Sequence, residues 1–486
     1  MCIRDSFSVI KGISLNQLSL FFTKQKPWTP SASTTDTTAP FFLPFTFPLD
    51  IRRVEGTFIM GYKSNNIAEL DVPWSPAQTD VQNRIIHLQF SNVPMAAYKN
   101  QHSGFAGFFA DTTRQTSVTF GLHGDADTKA STAAGYVTIT DIPFGVSSKL
   151  LGLQNLDARP ANVTDLDVKH GYPSYLLITV YAWLYNPSHI TIGAQDVTFD
   201  LDFQGNRIAD AHIHNLVLTP GVNKVPTDVH YNPHGKTETG SGQQLLENYV
   251  QGIASNAVIA GTMHTTPIDS LKRALAGIRL PTVIPPLHQL LIPEARLVIP
   301  TDIAQSWRAQ VTLQVDNPFT ASINLLKVNA KVYYKWHYLG VVDEELKPPI
   351  RAPGHTRITS RSVELHMDLD PKHLMSFIED RAADSNTDIG PLTGQFNQVM
   401  SMKSTKTTVK PVPDPNPPSC HSGRQFDVFG AILRLLHAVP ITLDIKSTDK
   451  LDDYKTDLNF QQKNVRLDTD RTALYPVSYT PLTLPT

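Results

Sequence analysis

Cysteine is almost absent, with two in 486 residues, which excludes a disulfide scaffold and any cysteine-rich zinc module. Charge is sparse as well: Asp, Glu, Lys and Arg make up 18% of the chain, against a usual share of about 25%. The 42 basic side chains are offset by 44 acidic ones, for a net charge of −2. A nucleic-acid binder that works by electrostatics needs a basic face, and this balance provides none. No apolar run approaches the ~18 residues needed to cross a bilayer. The most apolar stretch, Leu176–Tyr185, is short and carries three aromatics, in the manner of a buried strand. There is no G-x-S-x-G, H-E-x-x-H or P-loop signature. Proline, by contrast, is abundant at 36 residues, and 41% of the chain is hydrophobic, enough to fold into two to four domains.

The two ends stand apart from the rest. Met1-Cys2-Ile3-Arg4-Asp5-Ser6 resembles the translation of a transposase-based sequencing-library adapter, and Pro476–Thr480 reads as its reverse complement. Residues 1–6 and 476–486 are therefore set aside as non-native. Arg4 and Asp5 leave together, so the charge stays at −2, and Cys420 is the one cysteine left. What remains reads as the interior of a longer frame, with any membrane anchor expected outside it.

Internal repetition is the strongest signal. Leu43-Pro44-Phe45, Asn186-Pro187-Ser188 and Asn317-Pro318-Phe319 each begin the same succession, and the steps from Pro44 to Pro187 and from Pro187 to Pro318 are nearly equal. Alternating strands precede the second and third landmarks, at Ile178, Val180, Ala182, Leu184 and at Ala309, Val311, Leu313, Val315. A second alternating run follows each landmark. Turns are then expected at Lys63-Ser64-Asn65-Asn66, Gln204-Gly205-Asn206 and Leu339-Gly340, so that each run returns as a β-hairpin. Trp74-Ser75-Pro76, Thr219-Pro220-Gly221 and Ala352-Pro353-Gly354 break the chain before another strand, which closes on Pro94, Pro233 or Pro371.

Short helices are expected at Phe105–Ala110, Leu245–Val250 and Leu374–Ile378. A better-marked one has Thr266 as cap, Pro267 at its first position and a Leu271, Leu275, Ile278 stripe. Phe426, Phe429, Leu433 and Leu436 repeat that stripe, and Phe144–Leu153 is its counterpart in the first copy. Each helix is expected to pack on its own sandwich. Gly235–Gly242 reads as a flexible polar loop.

The expected fold is mainly β with short helices: tandem antiparallel β-sandwiches of immunoglobulin or fibronectin general type. Residues 7–150 form the first repeat, 151–285 the second, and 286–440 the third, with a proline-rich insertion at 403–423; 441–475 begins a fourth.

Gly121–Asp127, Thr138–Phe144, Tyr185–Ile190 and Leu218–Asn223 together resemble a fungal repeat family known only as a domain of unknown function. The strand, Asn-Pro and hairpin core is similar to the type 2 late-embryogenesis-abundant sandwich. The resemblance covers most of residues 9–475 and is strongest at 115–290. It implies a single-pass membrane protein with a long lumenal array, in fungi often at the vacuole.

Candidate chemistry is thin. His212 and His214 share one strand face beside Asp210, a spacing that suits zinc or copper, while Ala209, Ala211 and Ile213 hold the opposite, core-facing side. His123, Asp125 and Asp127 lie near a turn with no nucleophile motif beside them. The sequon Asn162-Val163-Thr164 fits an N-glycan if this region is lumenal. Cys420 lies among prolines as a free thiol or as half of a pair. No catalytic residue and no cofactor is assigned. The expectation is a non-catalytic, membrane-anchored binding array. The alternatives are a lipid-binding module with an apolar groove, and a metal-dependent enzyme at His212 and His214. The expected partner is a protein or a lipid, not nucleic acid.

Overall fold

The structure, a computed structural model, describes residues 9–42, 49–132, 135–300, 306–387, 389–390, 393, 435 and 437–469. The two adapter-like ends, the first landmark at Leu43, the proline-rich insertion, Cys420 and the Phe426–Leu436 stripe lie outside these residues. The chain is mainly β and forms two compact units. One comprises Met1–Lys169, Ser174–Leu245 and Ala254–Pro285; the other comprises His170–Pro173, Leu246–Ile253 and Pro286–Thr486.

The first block contains β1 (Ser14–Leu15), β2 (Leu18–Phe21), β3 (Ser31–Pro40), β4 (Asp50–Tyr62), β5 (Asn65–Asp80), β6 (Ile85–Ala97), helix α1 (His102–Arg114), β7 (Ser117–Thr132) and β8 (Gly135–Leu151). The second contains β9 (Ala161–Tyr172), β10 (Tyr175–Asn186), β11 (Ile190–Phe203), β12 (Asn206–Leu218), β13 (Gly221–Tyr231), α2 (Lys236–Val250), β14 (Ser255–Ala260), α3 (Asp269–Leu275) and β15 (Arg279–Ile284). The third contains β16 (Glu294–Val298), β17 (Arg308–Asp316), β18 (Ile323–Tyr334), β19 (His337–Ala352), β20 (Arg357–Thr359), β21 (Val363–Met367), α4 (Pro371–Ser385), β22 (Val439–Leu451) and β23 (Tyr454–Thr469).

One plan underlies all three. A first hairpin (β4–β5, β11–β12, β18–β19) is followed by a return strand, a helix and a second hairpin (β7–β8, β14–β15, β22–β23). The second hairpin's leading strand lies antiparallel along the first hairpin's leading strand. The strands form because apolar residues alternate with polar ones: in β10 the even-numbered positions from Leu176 to Leu184 are buried, and in β22 the odd-numbered ones from Val439 to Leu451 are. Inside the first block α1 carries Phe105, Phe108 and Phe109 on one face. These rings meet Phe22, Tyr62 and Phe120 edge-on at centroid distances of 5.0–5.6 Å.

In the second block the sheet closes into a ring, β12-β13-β10-β9-β15-β14-β11 and back to β12, and in the third as β16-β23-β22-β18-β19-β21-β17 and back to β16. In the first block no ladder joins β8 to β1 or β2 among the described residues. The two ends of the path are linked by Ser148 Oγ donating to the Ile13 carbonyl at 2.7 Å. The outer edge of β2 pairs instead with β11 of the second block, from Leu18↔Ile190 to Phe21↔Gly193, so the two blocks share one 15-stranded sheet.

Several sequence expectations are corrected. The sandwiches are not wholly antiparallel: β2–β11, β9–β15 and β16–β23 are parallel, because in the two ring closures most of a block separates the partners and supplies the long crossover that parallel pairing needs. Phe144–Leu151 is strand rather than helix, with buried Phe144, Ser148 and Leu150 at even spacing. No break falls at Trp74-Ser75-Pro76, which β5 runs through. The third hairpin turns at Lys335-Trp336, not at Gly340; Gly340 is needed within β19 because a Cβ there would collide with the His366 carbonyl. Residues 236–242 are helical, and Gly242 serves close packing against the Tyr231 hydroxyl rather than flexibility. Helix α3 packs on α1 of the preceding block, while the Leu275 carbonyl at its end lies close against Gly261 of its own block. Finally, Pro440 opens no separate block: β22 and β23 complete the third ring.

Candidate functional site

The landmark asparagines are structural latches. Asn186 is 1% exposed, and its Nδ2 donates to the carbonyls of Ile190 (2.8 Å) and Leu218 (3.4 Å), while its Oδ1 accepts from the Ser188 N–H (2.9 Å). Asn317, also 1% exposed, repeats this with the carbonyls of Ala321 (2.8 Å) and Ala352 (3.0 Å) and the Phe319 N–H (3.0 Å). A buried amide is the group that can satisfy donors and acceptors of a chain reversal at once.

A second repeated device escaped the sequence reading. Where the first hairpin of the first block ends, the Tyr62 hydroxyl (2.5 Å) and Lys63 Nζ (2.7 Å) both donate to Asp111 Oδ2 on α1. In the third block Tyr334 and Lys335 do the same to Asp384 Oδ2 on α4, the lysine at 2.6 Å. The signal was a Tyr-Lys pair with an aspartate 49 or 50 residues after the tyrosine. Burial raises the Tyr62 pKa, and the Asp111 carboxylate raises it further. Burial alone would lift the Asp111 carboxyl, but the bonds from Lys63 and Tyr62 outweigh it and hold it below the ordinary range. In the second block Phe203 ends the strand, and a neutral bond from Asn206 Nδ2 to Ser241 Oγ (2.9 Å) ties hairpin to helix.

The first block encloses a cavity of about 60 Å³ with almost wholly apolar walls, among them Leu18, Leu20, Met60, Leu88, Leu122 and Leu150. It lies inside the block whose sheet is left open between β8 and β1. It is smaller than the ~150 Å³ apolar void that accepts benzene in another protein.

The histidines lie on β12 with Ala211 and Ile213 buried behind them, as their alternation requires. The two meet different neighbours. The side chain of His214 is 69% exposed, 3.7 Å from both Asp196 and Asp228. His212 is half-buried; its Nδ1 meets Thr198 Oγ1 at 3.0 Å, and its ring lies 4.3 Å from that of His230 on β13. Burial lowers its pKa, and the neighbouring His230 lowers it further. Among the described residues no group of three or more His, Cys, Asp or Glu is arranged to hold a metal. His123, Asp125 and Asp127 point outward along β7, and Asp127 Oδ1 accepts the Asp141 N–H (2.8 Å), where β8 bulges. Asn162 is exposed on β9, and Thr164 Oγ1 accepts from the Trp183 indole at 3.0 Å. No helix among the described residues is long and apolar enough to cross a membrane.

A family model described as "Protein of unknown function (DUF3712)" matches residues 66–201, from β5 of the first block to β11 of the second. The matched span thus covers about one period of the repeat but straddles two structural blocks. No curated protein matches the sequence. Among solved structures, the chain is similar to one described as "Crystal structure of tetra-tandem repeat in extending region of large adhesion protein", at 9% identity, covering 93% of this chain and 74% of that one, with a TM-score of 0.18. The fold assignment rests on the strand pairings themselves.

Proposed function

We propose that the chain is a non-catalytic array of β-sandwich blocks, a stiff spacer or binding scaffold on the extracytoplasmic side of a membrane-anchored protein of the fungal vacuole or secretory pathway. The observation that carries the scaffold role is the parallel β2–β11 ladder, which makes two successive blocks one continuous sheet. Blocks joined by a flexible linker would hinge; blocks sharing backbone hydrogen bonds resist bending and separation. The membrane and lumenal part of the reading is supported by the sequence resemblance and by the exposure of Asn162.

The test is mechanical. In force spectroscopy of the whole chain, the first two blocks should unfold in one cooperative event. Gly193→Val, whose side chain would collide with the Phe21 ring at the ladder, should split that event in two. Two separate events in the unsubstituted chain would sink the scaffold reading. The setting is tested separately by imaging the tagged full reading frame and by a glycosidase mobility shift that Asn162→Gln removes.

A second reading, lipid binding, is favoured by the apolar cavity of the first block. A fluorescent long-chain fatty acid should bind the chain and be excluded by Leu122→Trp, which fills the cavity. Binding unaffected by that substitution would dismiss it.

A further inference from the structure

The half-buried His212 presents an unusual combination. Its Nδ1 is anchored by the Thr198 hydroxyl, yet its Nε2 is shielded from solvent and has no hydrogen-bond partner. An orphaned ring nitrogen opposite an anchored one is the arrangement of a metal-ligating histidine, in which the outer hydrogen bond fixes tautomer and ring direction and leaves the other nitrogen to the ion. The neighbouring imidazole is suitably placed. His230 stands on β13, diagonal to His212 across the β12–β13 ladder, with the rings tilted by 56° at a centroid separation of 4.3 Å. Two imidazoles bound to one ion at right angles, with metal–nitrogen bonds near 2.0–2.1 Å, bring their centroids to about 4.5 Å. The Tyr175 ring also packs against His230, at a centroid distance of 4.6 Å.

We infer that His212 and His230 form a two-histidine site for a divalent transition-metal ion, copper(II) foremost and zinc(II) less tightly. Imidazole suits both ions, and affinity at such a site rises to copper and falls again at zinc. With no third protein ligand in place among the described residues, water fills the remaining positions. Two carboxylates give the site a negative setting: Asp228 lies directly across from His212, and Asp210 across from His230. Asp210 is already engaged by Arg207 and by Asn232 Nδ2, which leaves Asp228 as the less committed charge. The sequence pairs His212 with His214; the proposed site pairs it with His230 instead. Neighbours two apart on one strand are separated by roughly 7 Å. The diagonal cross-strand neighbour, by contrast, has its ring in contact. The site is independent of the scaffold reading and needs no catalysis.

The test is calorimetric titration of the full chain with copper(II) and with zinc(II) in a non-chelating buffer. One strong copper equivalent is expected, bound more tightly than zinc. His230→Gln should weaken it by at least about tenfold, since loss of even an outer partner of a ligand costs roughly 10–100-fold. His214→Gln should leave it unchanged. Because substitution at His212 risks the packing of β12, the unsubstituted protein provides a second readout: copper should selectively broaden the NMR resonances of the His212 and His230 rings. Unchanged affinity in His230→Gln, or broadening centred on other histidines, would overturn the assignment.

Discussion

The first and third blocks follow the same strand order and use the same Tyr-Lys-Asp clasp, yet their interiors have been finished in opposite ways. The third closes its ring of strands and carries a carboxylic acid inside: Asp449 is 7% exposed on the core-facing side of β22 and accepts from Ser447 Oγ at 2.5 Å. The first leaves its ring open between β8 and β1 and keeps an apolar void among Leu18, Leu88 and Leu122. A shared plan of hairpins therefore fixes the outline of a block and leaves its interior free to vary. An inward position can hold a proton or border a gap while the ladders around it stay paired.

The largest expected effect comes from the buried acid. Burial pushes the Asp449 pKa up to about 7, partly offset by the Ser447 bond, with Asp457 adding to the rise. The folded value lies above the unfolded one, so the carboxyl's stability contribution is complete below about pH 4 and is lost as the pH climbs through 7. About three pKa units correspond to roughly 4 kcal/mol. Denaturant melts of the chain at pH 4.5 and pH 8 should show the third block weakening at the higher pH, and Asp449→Asn should remove most of that slope. An unchanged slope in Asp449→Asn would place the pH dependence elsewhere.

Next in size are the latches, which should behave alike in the second and third blocks. Asn186→Ala and Asn317→Ala each leave two or more buried backbone carbonyls without a donor, at about 3 kcal/mol in total. Equal losses in urea unfolding would mark the latch as a common device; a loss in one block alone would show that the two chain reversals are held differently.

The interiors can be compared directly by enlarging one leucine in each. Leu88→Phe reaches into the cavity of the first block and should stabilise it by about 0.5–1 kcal/mol. Leu346→Phe, at a position 2% exposed in the closed third block, should cost about 2 kcal/mol. Shifts of the same sign in differential scanning fluorimetry would erase the distinction between an open and a filled interior. A similarly small effect is expected from the clasp: Tyr62→Phe and Tyr334→Phe should each cost about 1 kcal/mol in thermal unfolding, the same in both blocks. The lysines should contribute a part that fades with added salt.

Much of the fold could be read in the chain because its information is local. The even-numbered apolar positions of β10 and the Asn-Pro landmarks fall within short windows, and alternation places one face inward whatever the rest of the protein does. The misreadings share a different cause. Gly340 resembled a turn, but it is demanded by the carbonyl of His366, on a strand well beyond the local window. Phe144–Leu151 resembled a helical stripe because the adjacent Ser147 and Ser148 blur the apolar alternation of β8. The clasp was missed because its tyrosine and aspartate are separated by a whole strand pair and part of a helix. At the histidines, the spacing within one strand was visible, whereas the neighbour supplied by β13 was not.

By itself the sequence determined that this is a β protein built of repeated blocks of similar length, low in charge and with its turns marked by proline, asparagine and glycine. Periodicity and turn chemistry are properties of adjacent residues, which is why they can be read without a structure. Tertiary structure alone decided which edges meet: that β2 pairs with a strand of the next block, that β22 and β23 complete the third ring instead of starting a fourth block, and that His212 faces His230. Strand edges offer the same backbone donors and acceptors whatever their side chains. The choice among partners is therefore made by the packing of whole blocks, which no short stretch of sequence contains.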